Sequence, residues 1–284
     1  MNAVAILNPR AGRGKPQRIP AAAQLLETRG PGHATELARS AIKAGARTII
    51  AIGGDGTIHE VVNGFFENEQ LIAGDVTLQV ISQGTGCDFS RMLRRHRSEP
   101  LMVDLLKVRY TGTNGMPGLR YCVNAASFGM GAVVAGSVNR SSKLLGGRVA
   151  FMATALQTAF SFGGHSIILQ LDGLKTIERN ITNVVAGNGQ YQGSGMWVCP
   201  GAALDDGLID VTVIKHLRPW QIVKGLPLLY NGAILSHPDV EAYQVKRLKA
   251  ESAESVLIEI DGEPAGRLPV EISVLPKSLR VLAP

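Results

Sequence analysis

Three short apolar segments in the first third of the chain each run into a glycine-rich loop, and this repetition limits the folds that the chain can adopt. The most informative copy joins the apolar residues 48–52 to residues 53–57, Gly-Gly-Asp-Gly-Thr, after which apolar positions recur at helical spacing. Similar loops follow residues 4–7 and 76–81. Strand, glycine turn and helix in this order predict an α/β domain with a mostly parallel sheet.

The three loops are expected to meet at one site. In a parallel sheet, the loops at the carboxyl ends of the strands converge on one crevice, where such folds bind ligands. Glycine lets the backbone approach a ligand closely, and the free amides at the start of the next helix attract phosphate. The first loop also carries Arg13 and Lys15, which would balance phosphate charge. We therefore expect a phosphate-binding crevice formed by residues 8–15, 53–57 and 83–89.

A single carboxylate, Asp55, lies within the second loop. A bare carboxylate would repel phosphate. Its presence is explained if a cation such as Mg²⁺ lies between them, because Mg²⁺ binds through one or two carboxylates together with phosphate oxygens and water. The alternative is that Gly-Gly-Asp-Gly is only a tight turn, since turns prefer these residues. The other two loops, with Asp88 in the third, favour a binding site.

These loops and the later motifs resemble the diacylglycerol kinase catalytic family, bacterial lipid kinases whose relatives include sphingosine and ceramide kinases. The match also includes residues 191–210 and the Ile-Asp-Gly-Glu segment at 260–263, and it covers nearly the whole chain in order. The resemblance implies an ATP-dependent lipid kinase, in the first place one that converts diacylglycerol to phosphatidate. It also implies an NAD kinase/diacylglycerol kinase-like α/β domain followed by a β-sandwich domain.

The resemblance assigns residues to each part of the site. Glu263 is the implied general base, which accepts the proton of the acceptor hydroxyl, and Asp55 organises Mg²⁺. A structural Mg²⁺ is implied at Asp206 with the carbonyls of Ala203 and Leu208. The residues implied to contact ATP are Asn8, Gly12, Arg13, Lys15, Thr28, Gly53, Gly54, Asp55, Gly56, Thr57, Ile58, His59, Gly84, Thr85 and Asp88. For the side chain of His59 we expect a solvated or capping position.

Two features depart from the family pattern. The third loop of the family usually ends in Asn-Asp, and Cys87 replaces the Asn here, which puts any contact of that amide in doubt because a thiol is a weak donor and acceptor. The segment between Lys15 and Thr28 is short for a helix and a returning strand, since a βαβ crossover needs at least about ten to twelve residues. Pro16 and Pro20 also favour a truncated first helix.

Composition fits a two-domain cytoplasmic protein. The 284 residues are 45% hydrophobic, which is enough for two cores. The three cysteines are scattered, which argues against a disulfide framework or a zinc site and for a reducing compartment. The N-terminal apolar run is too short for a signal peptide, and no run approaches the roughly 18 apolar residues of a membrane span.

The net charge of +6 leads to an expectation about partners. Basic residues are concentrated at Arg91, Arg94, Arg95 and Arg97, just after the third loop. A solvated helix face or a nucleic-acid surface would also explain them, but only 5% of residues are aromatic and no nucleic-acid-binding motif accompanies them. Because anionic membranes attract basic residues, we expect peripheral membrane contact, where the lipid substrate resides, and no nucleic acid. The sequence leaves open whether the chain forms a homodimer.

The predicted elements divide the chain near residue 110. Residues 1–110 are expected to form the nucleotide-binding domain and residues 111–276 the β-rich lipid-substrate domain, with a final strand at 277–284 that returns to the first domain. The predicted strands are 4–7, 48–52, 76–81, 101–110, 120–127, 167–171, 176–186, 207–214, 243–248, 256–261, 270–274 and 279–282. The predicted helices are 33–43, 57–66, 148–162 and 219–235.

Two other functions remain open from the sequence. A kinase of a soluble substrate such as NAD would share the Gly-Gly-Asp-Gly loop, although the motifs at 193–208 and 261–263 look like those of lipid kinases. The other alternative is a nucleotide- or lipid-binding regulator without turnover. Cys87 is the feature that supports it.

Overall fold

The computed structural model describes residues 3–12, 23–83, 86–94, 100–140 and 147–282. The strands are β1 (Ala3–Leu7), β2 (Ala23–Glu27), β3 (Thr48–Gly53), β4 (Phe66–Glu67), β5 (Gln70–Leu71), β6 (Thr77–Ser82), β7 (Leu101–Gly112), β8 (Pro117–Cys122), β9 (Ala125–Gly129), β10 (His165–Leu171), β11 (Lys175–Gly187), β12 (Tyr191–Gln192), β13 (Met196–Trp197), β14 (Ile209–Lys215), β15 (Val240–Val245), β16 (Arg247–Glu251), β17 (Leu257–Ile260) and β18 (Glu263–Leu282). The helices are α1 (His33–Lys43), α2 (Asp55–Gly64), α3 (Asp88–Leu93), α4 (Met130–Arg140), α5 (Gly147–Ser161) and α6 (Pro219–Asn231).

The first half of the chain is built on a parallel sheet. Strands β1, β2, β3 and β6 pair in parallel in the order β2-β1-β3-β6. Strands β1 and β3 are nearly continuous apolar runs, as expected for strands that are covered on both faces, whereas the edge strand β2 is partly exposed to water. On one face of the sheet, Ile49 and Leu78 belong to the same core as Phe65 and Phe89. The loops after β1, β3 and β6 therefore lie at the same edge of the sheet.

The second half is strand-rich and mostly antiparallel. Strand β11 is central, since it pairs with β9, β10 and β14, and β15 and β16 extend the sheet beyond β14 and β10. Buried residues of several strands, among them Leu106, Phe128, Ile181 and Val270, form one apolar core. Alternate residues of β16 are buried, so this strand turns one face to the core and the other to water.

The long strand β18 connects the two halves. The sequence predicts separate strands at 270–274 and 279–282, whereas the structure continues β18 through both, with an irregular stretch between them. The buried carboxylate of Asp104 stabilises that stretch because it accepts the amide of Lys277 at 2.6 Å. Residues 280–282 then pair in parallel with β6. One strand thus begins beside β17 in the second half and ends in the parallel sheet.

Two element boundaries differ from the prediction for local reasons. The second helix begins at Asp55 rather than at residue 57, because Gly54 in an extended conformation acts as its N-cap. The strand predicted at 243–248 is divided into β15 and β16. At the break, the carboxylate of Asp172 accepts the backbone amides of Lys246 and Arg247, at 2.8 and 2.7 Å. These hydrogen bonds take the place of strand pairing there.

The sequence prediction also misses one helix and overextends another. The sequence does not predict helix α4, since its glycine, valine, serine and asparagine residues have low helix propensity. The helix predicted at 219–235 is shorter in the structure: α6 ends at Asn231, because Gly232 follows it with a φ of 78°. A separate 3-10 turn occupies Ile234–Ser236. The strand predicted at 120–127 is divided into β8 and β9.

Helices α4, α5 and α6 pack together beside the strand-rich half. Helix α5 contacts both α4 and α6, and Ala159 of α5 packs with Leu217 and Ile222 in a small apolar core of their own. No helix within the described ranges has the length and apolar composition needed to cross a bilayer.

Candidate active site

One large cavity lies where the glycine loops face the second half. It has a volume of about 1390 Å³ and lies between the loops after β1, β3 and β6 and the turn that joins β17 to β18. Its lining changes along its length. The loops contribute polar residues such as Asn8, Thr28, Asp55 and Asp88, whereas α4, α5 and α6 contribute apolar side chains. The cavity therefore joins a polar compartment to an apolar one.

Hydrogen bonds tie the loops at the polar end to one another. Asn8 Nδ2 donates to Thr57 Oγ1 over 3.1 Å, and the amide of Asn8 donates to the carbonyl of Ile52 over 2.9 Å. The amide of Thr28, just after β2, donates to the carbonyl of Leu7 over 2.9 Å. These hydrogen bonds fix the starts of the loops after β1, β2 and β3 relative to one another.

The glycine-rich segment after β3 is the first turn of α2. The amides of Thr57 and Ile58 both donate to the carbonyl of Gly54, at 3.0 and 3.1 Å. The amides of Asp55 and Gly56 precede these bonds, and a helix start leaves such amides available for an anion. A phosphate site here would therefore use a narrower set of amides than residues 53–57.

Ile58 and His59 face the interior and not the cavity. Ile58 is fully buried in the core of the first half, and His59 is only 4% exposed. His59 Nδ1 lies 2.8 Å from Asp261 Oδ2. The expectation of a solvated or capping His59 is therefore wrong, because a buried carboxylate from the second half pairs with its ring. This geometry does not support a direct contact of either side chain with nucleotide.

The carboxylate of Asp261 holds the two halves together. It accepts the consecutive backbone amides of residues 123–125, at 3.0, 2.9 and 3.1 Å, and the Sγ of Cys122 donates to it over 3.1 Å. Burial alone would raise the pKa of Asp261, but the hydrogen bond with His59 and these other donors outweigh burial and lower it. The ionised carboxylate fixes the junction between β8 and β9 against α2.

Asp55 and Asp88 form a pair of buried carboxylates at the polar end of the cavity. The amide of Asp88 donates to Asp55 Oδ2 over 3.3 Å, and the amide of Ser194 donates to Asp88 Oδ2 over 2.9 Å. Burial raises the pKa of both carboxyls, and the neighbouring charge of Asp55 helps to raise that of Asp88 to about 6. The Oδ1 atom of each is buried without a hydrogen-bond partner among the described residues.

This donor set fits a hard divalent cation. Carboxylate oxygens are the ligands that Mg²⁺ prefers, and buried oxygens without a partner carry a free-energy cost that a cation would remove. The two carboxylates lie close together partly because residue 86 is glycine: a Cβ there would lie 2.8 Å from Asp55 Oδ2. Asp55 and Asp88 are therefore the described residues that could hold Mg²⁺ at this end of the cavity.

The turn between β17 and β18 carries Glu263 to the phosphate loop. Asp261 and Gly262 form the turn with φ values of 51° and 83°, and Ile260 pairs with Glu263, as in a two-residue hairpin. A Cβ on Gly56 would lie 2.8 Å from Glu263 Oε1, so only glycine at position 56 permits this approach. The predicted base therefore lies against the first turn of α2.

The loop of the predicted structural Mg²⁺ has an exposed carboxylate. Asp206 is exposed, and its Oδ1 accepts the amide of Leu208 over 3.0 Å. Beneath the loop, Asp104 accepts the amide of Gly207 at 2.6 Å. Within the described ranges, no three His, Cys, Asp or Glu side chains are grouped as metal ligands. A set built on Asp206 with the carbonyls of Ala203 and Leu208 stays a prediction.

Cys87, the residue that departs from the family pattern, precedes α3 in a left-handed conformation with a φ of 52°. Asn adopts this region several times more readily than most residues with a side chain. A backbone preference therefore explains why Asn is usual at this position, independently of any contact with nucleotide.

The structure reveals a further buried acid, Glu259, which the sequence analysis did not identify. Glu259 lies on β17, is 2% exposed and lines the cavity beside the turn of Glu263. Its Oε1 accepts the hydroxyl of Ser127 over 2.6 Å and contacts Gln192 Nε2, and its Oε2 accepts the amide of Gly262 over 2.6 Å. Burial raises the pKa of Glu259 to about 8.

Most of the predicted nucleotide contacts surround one cavity. Asn8, Gly12, Thr28, Gly54, Asp55, Gly56, Thr57 and Asp88 line it, and Gly53 precedes them at the end of β3. Four further predicted contacts, Arg13, Lys15, Gly84 and Thr85, lie outside the described residues.

Comparison with known protein families agrees with this arrangement. A family described as "Diacylglycerol kinase catalytic domain" matches residues 2–111, and one described as "YegS C-terminal NAD kinase beta sandwich-like domain" matches residues 124–283. The chain belongs to the diacylglycerol kinase catalytic family. The family predicted from the sequence is thereby confirmed, and so is the predicted fold of an α/β half followed by a β-sandwich half.

Relatives within this family are named as lipid kinases. A protein of Chromohalobacter salexigens named "Probable lipid kinase YegS-like" is 30% identical over 260 residues, which cover 89% of this chain and 81% of that protein. A "Diacylglycerol kinase" of Mycobacterium tuberculosis is 27% identical over 267 residues, which cover 90% of this chain and 83% of that protein. Family membership makes the chain a lipid kinase, a transferase that takes phosphate from ATP.

Solved structures share the fold. A crystal structure of a diacylglycerol kinase from Bacillus anthracis has a TM-score of 0.68 at 21% identity and covers 100% of this chain and 97% of that one. An NAD kinase from Archaeoglobus fulgidus in complex with ATP has a TM-score of 0.51 at 14% identity, with 100% and 94% coverage. At such identities the likeness concerns the fold alone.

The buried Glu259 predicts a specific dependence of stability on pH. Its folded-state pKa of about 8 exceeds its ordinary value of 4.5, so the burial penalty is absent below pH 4.5 and grows as the pH rises towards 8. Glu259→Gln removes this penalty. We expect the difference in melting temperature, variant minus wild type, to be larger at pH 9 than at pH 5 by at least about 2 °C. Exposed Glu178→Gln is the control, and an equal difference at both pH values would contradict the assignment.

Proposed function

We propose that the acceptor is diacylglycerol and that the enzyme transfers the γ-phosphate of ATP to its free hydroxyl to form phosphatidate. The observation that supports this most is the 2.8 Å separation between Glu263 Oε1 and the Cβ position of Gly56. This separation brings a carboxylate of the β-rich half against the loop that suits phosphate. A hydroxyl and a phosphate held there would meet at one point.

The apolar end of the cavity supports a lipid acceptor. Side chains of α4, α5 and α6 line it, among them Val134, Leu156, Leu226 and Leu229. Acyl chains that leave water for such a lining gain about 25 cal/mol for each Å² of apolar surface that they bury. A soluble nucleotide acceptor would find few polar partners in this part of the cavity. The gradient from charged to apolar along one cavity matches a molecule with a polar head and apolar tails.

Glu263 acts as the general base in this proposal. Its carboxylate accepts the proton of the acceptor hydroxyl as the hydroxyl oxygen attacks the phosphorus. The turn that carries Glu263 is fixed from two sides, because Glu259 accepts the amide of Gly262 and Asp261 is bound to residues 123–125. A fixed base loses little freedom on reaching the reactive geometry.

Asp55 and Asp88 would hold Mg²⁺ through their unpartnered Oδ1 atoms. The ion would supply charge neutralisation of the phosphate oxygens. The amides of Asp55 and Gly56 would add hydrogen bonds to the same phosphate, and Arg13 or Lys15 would add positive charge from the first loop. The structural Mg²⁺ at Asp206 remains a separate part of the proposal, supported by the family resemblance.

Contact with an anionic membrane is also part of the proposal. The sequence suggests the basic cluster of residues 91–97 as one contact region. In the described part of that cluster, Arg94 is exposed, whereas the guanidinium of Arg91 lies 5.0 Å from the ring centroid of Tyr191 and is half-buried. Arg95 and Arg97 lie outside the described residues. Arg91 is therefore engaged by the ring of Tyr191, and Arg94 is the described member of the cluster that is exposed enough to face a bilayer. Cytoplasmic location and a homodimer remain expectations.

A panel of acceptors tests the proposed substrate. The protein is incubated with labelled ATP, Mg²⁺ and separate mixed micelles of diacylglycerol, phosphatidylglycerol, ceramide or sphingosine, and with NAD in solution. We expect label in phosphatidate because the cavity combines a base with an apolar compartment. If another lipid of the panel is labelled instead, that lipid is the acceptor and the assignment to diacylglycerol is wrong. Label in NADP would overturn the assignment to a lipid kinase. ATP binding without any labelled product would favour a regulator, and Cys87→Asn would then be the next variant.

Replacing the base separates catalysis from binding. We expect Glu263→Gln to bind ATP as wild type does, because Glu263 contacts the acceptor side, while turnover falls by roughly a hundred- to ten-thousand-fold. Turnover and nucleotide affinity are measured in parallel. Glu251→Gln, at an exposed position on β16, is the matched control. If Glu263→Gln instead loses ATP binding and melts at a lower temperature, Glu263 is a structural residue of the turn.

A further inference from the structure

Helix α6 presents apolar side chains on two adjoining faces, one that lines the cavity and one that is exposed. Ile222, Leu226 and Leu229 recur at helical spacing on the inner face and line the cavity. Trp220, Val223 and Tyr230 recur at helical spacing on the adjoining face and are exposed. A helix on the surface of a soluble domain normally has one apolar face and one polar face. An additional apolar face therefore indicates that something other than water covers it.

The exposed face of α6 lies next to a second exposed aromatic residue. Phe160 near the end of α5 is 73% exposed, and its neighbour Ala159 packs against Leu217 and Ile222. This contact brings the end of α5 beside the start of α6. Trp220 is itself 53% exposed. Large apolar side chains grouped in this way mark a contact surface, whereas single ones are usual on any protein.

The chain segments that form this surface carry charge of one sign. Residues 211–238, which contain the whole of α6, include no Asp or Glu, and neither do residues 105–171, which contain α4 and α5. Arg218 and Lys224 are exposed at the start of α6, and Lys224 Nζ lies 4.9 Å from the ring centroid of Trp220. Aromatic rings beside cations suit the headgroup layer of a bilayer, where the ring enters and the cation meets anionic lipid.

We propose that this surface, defined by Trp220, Val223, Tyr230, Lys224 and Arg218, docks on an anionic lipid bilayer. The inner face of the same helix lines the apolar end of the cavity, so a lipid leaving the bilayer passes directly beside α6 to reach Glu263. The route of entry rests on the proposed lipid acceptor. The docking itself rests on the exposed apolar face and on the charge around it.

Tryptophan fluorescence reports on this surface directly. The chain has two tryptophans, and Trp197→Phe leaves Trp220 as the single reporter. That substitution removes an indole N–H that has no hydrogen-bond partner among the described residues. With phosphatidylcholine vesicles that contain phosphatidylglycerol, we expect a blue shift of the emission and quenching by lipids brominated on their acyl chains. Emission that is unchanged by such vesicles would overturn the proposal.

Vesicle co-sedimentation then tests the surface by substitution. We expect Trp220→Ser and Val223→Glu each to weaken binding to phosphatidylglycerol-containing vesicles by about tenfold, because apolar burial and attraction to anionic lipid both contribute. Lys224→Glu should weaken binding and remove most of its salt dependence. Leu174→Glu changes a leucine that is 93% exposed in the turn between β10 and β11, and it should bind as wild type does.

The outcomes separate docking from the proposed reaction. Val223 and Trp220 are exposed and do not line the cavity, so phosphorylation of a dispersed, short-chain diacylglycerol should persist in these variants while vesicle binding falls. If vesicle binding depends on Trp220 but no lipid is phosphorylated, docking stands and the acceptor assignment fails. If the variants bind vesicles as wild type does, or if only Arg94→Glu reduces binding, α6 is not the docking surface. Loss of a dimer on size-exclusion chromatography in Trp220→Ser, with vesicle binding unchanged, would assign the surface to a second copy of the chain.

Discussion

Asp261 accepts three consecutive backbone amides, at residues 123–125, and pairs with the ring of His59 from the other half of the chain. Each of these buried donors would cost about 1 to 3 kcal/mol if it were left without a partner. The carboxylate therefore fixes the β8–β9 junction, helix α2 and the turn of Glu263 relative to one another. The cavity has a defined shape because these three elements are all bound to, or carry, the carboxylate of Asp261.

The chemistry of the cavity follows from close approaches that this arrangement permits. Glycine at position 56 lets the carboxylate of Glu263 approach the helix start, and glycine at position 86 lets Asp55 lie beside Asp88. Asp55, Asp88 and Glu263 all line the polar part of the cavity, and the lining becomes apolar away from them. Helix α6 extends this gradient, because its two faces connect the cavity with the surface.

Sequence patterns predict the local parts of this structure and miss those that depend on distant contacts. The strand and helix around residues 53–57 are local, so apolar runs and glycines reveal them. His59 and Asp261 lie 202 residues apart, and no local pattern indicates that they pair. Glu259 stands between two isoleucines in a strand, which is the pattern of a solvent-facing residue, yet the β9 and β12 strands bury it. The position of Glu263 was available only through the family resemblance.

The most direct test is a crystal structure of the protein grown with a non-hydrolysable ATP analogue and Mn²⁺, whose anomalous scattering identifies the ion. We expect Mn²⁺ in contact with Asp55 Oδ1 and Asp88 Oδ1, and the terminal phosphate on the same side of the cavity as Glu263. An ion found only at Asp206, or a nucleotide bound away from the first turn of α2, would contradict the proposed site.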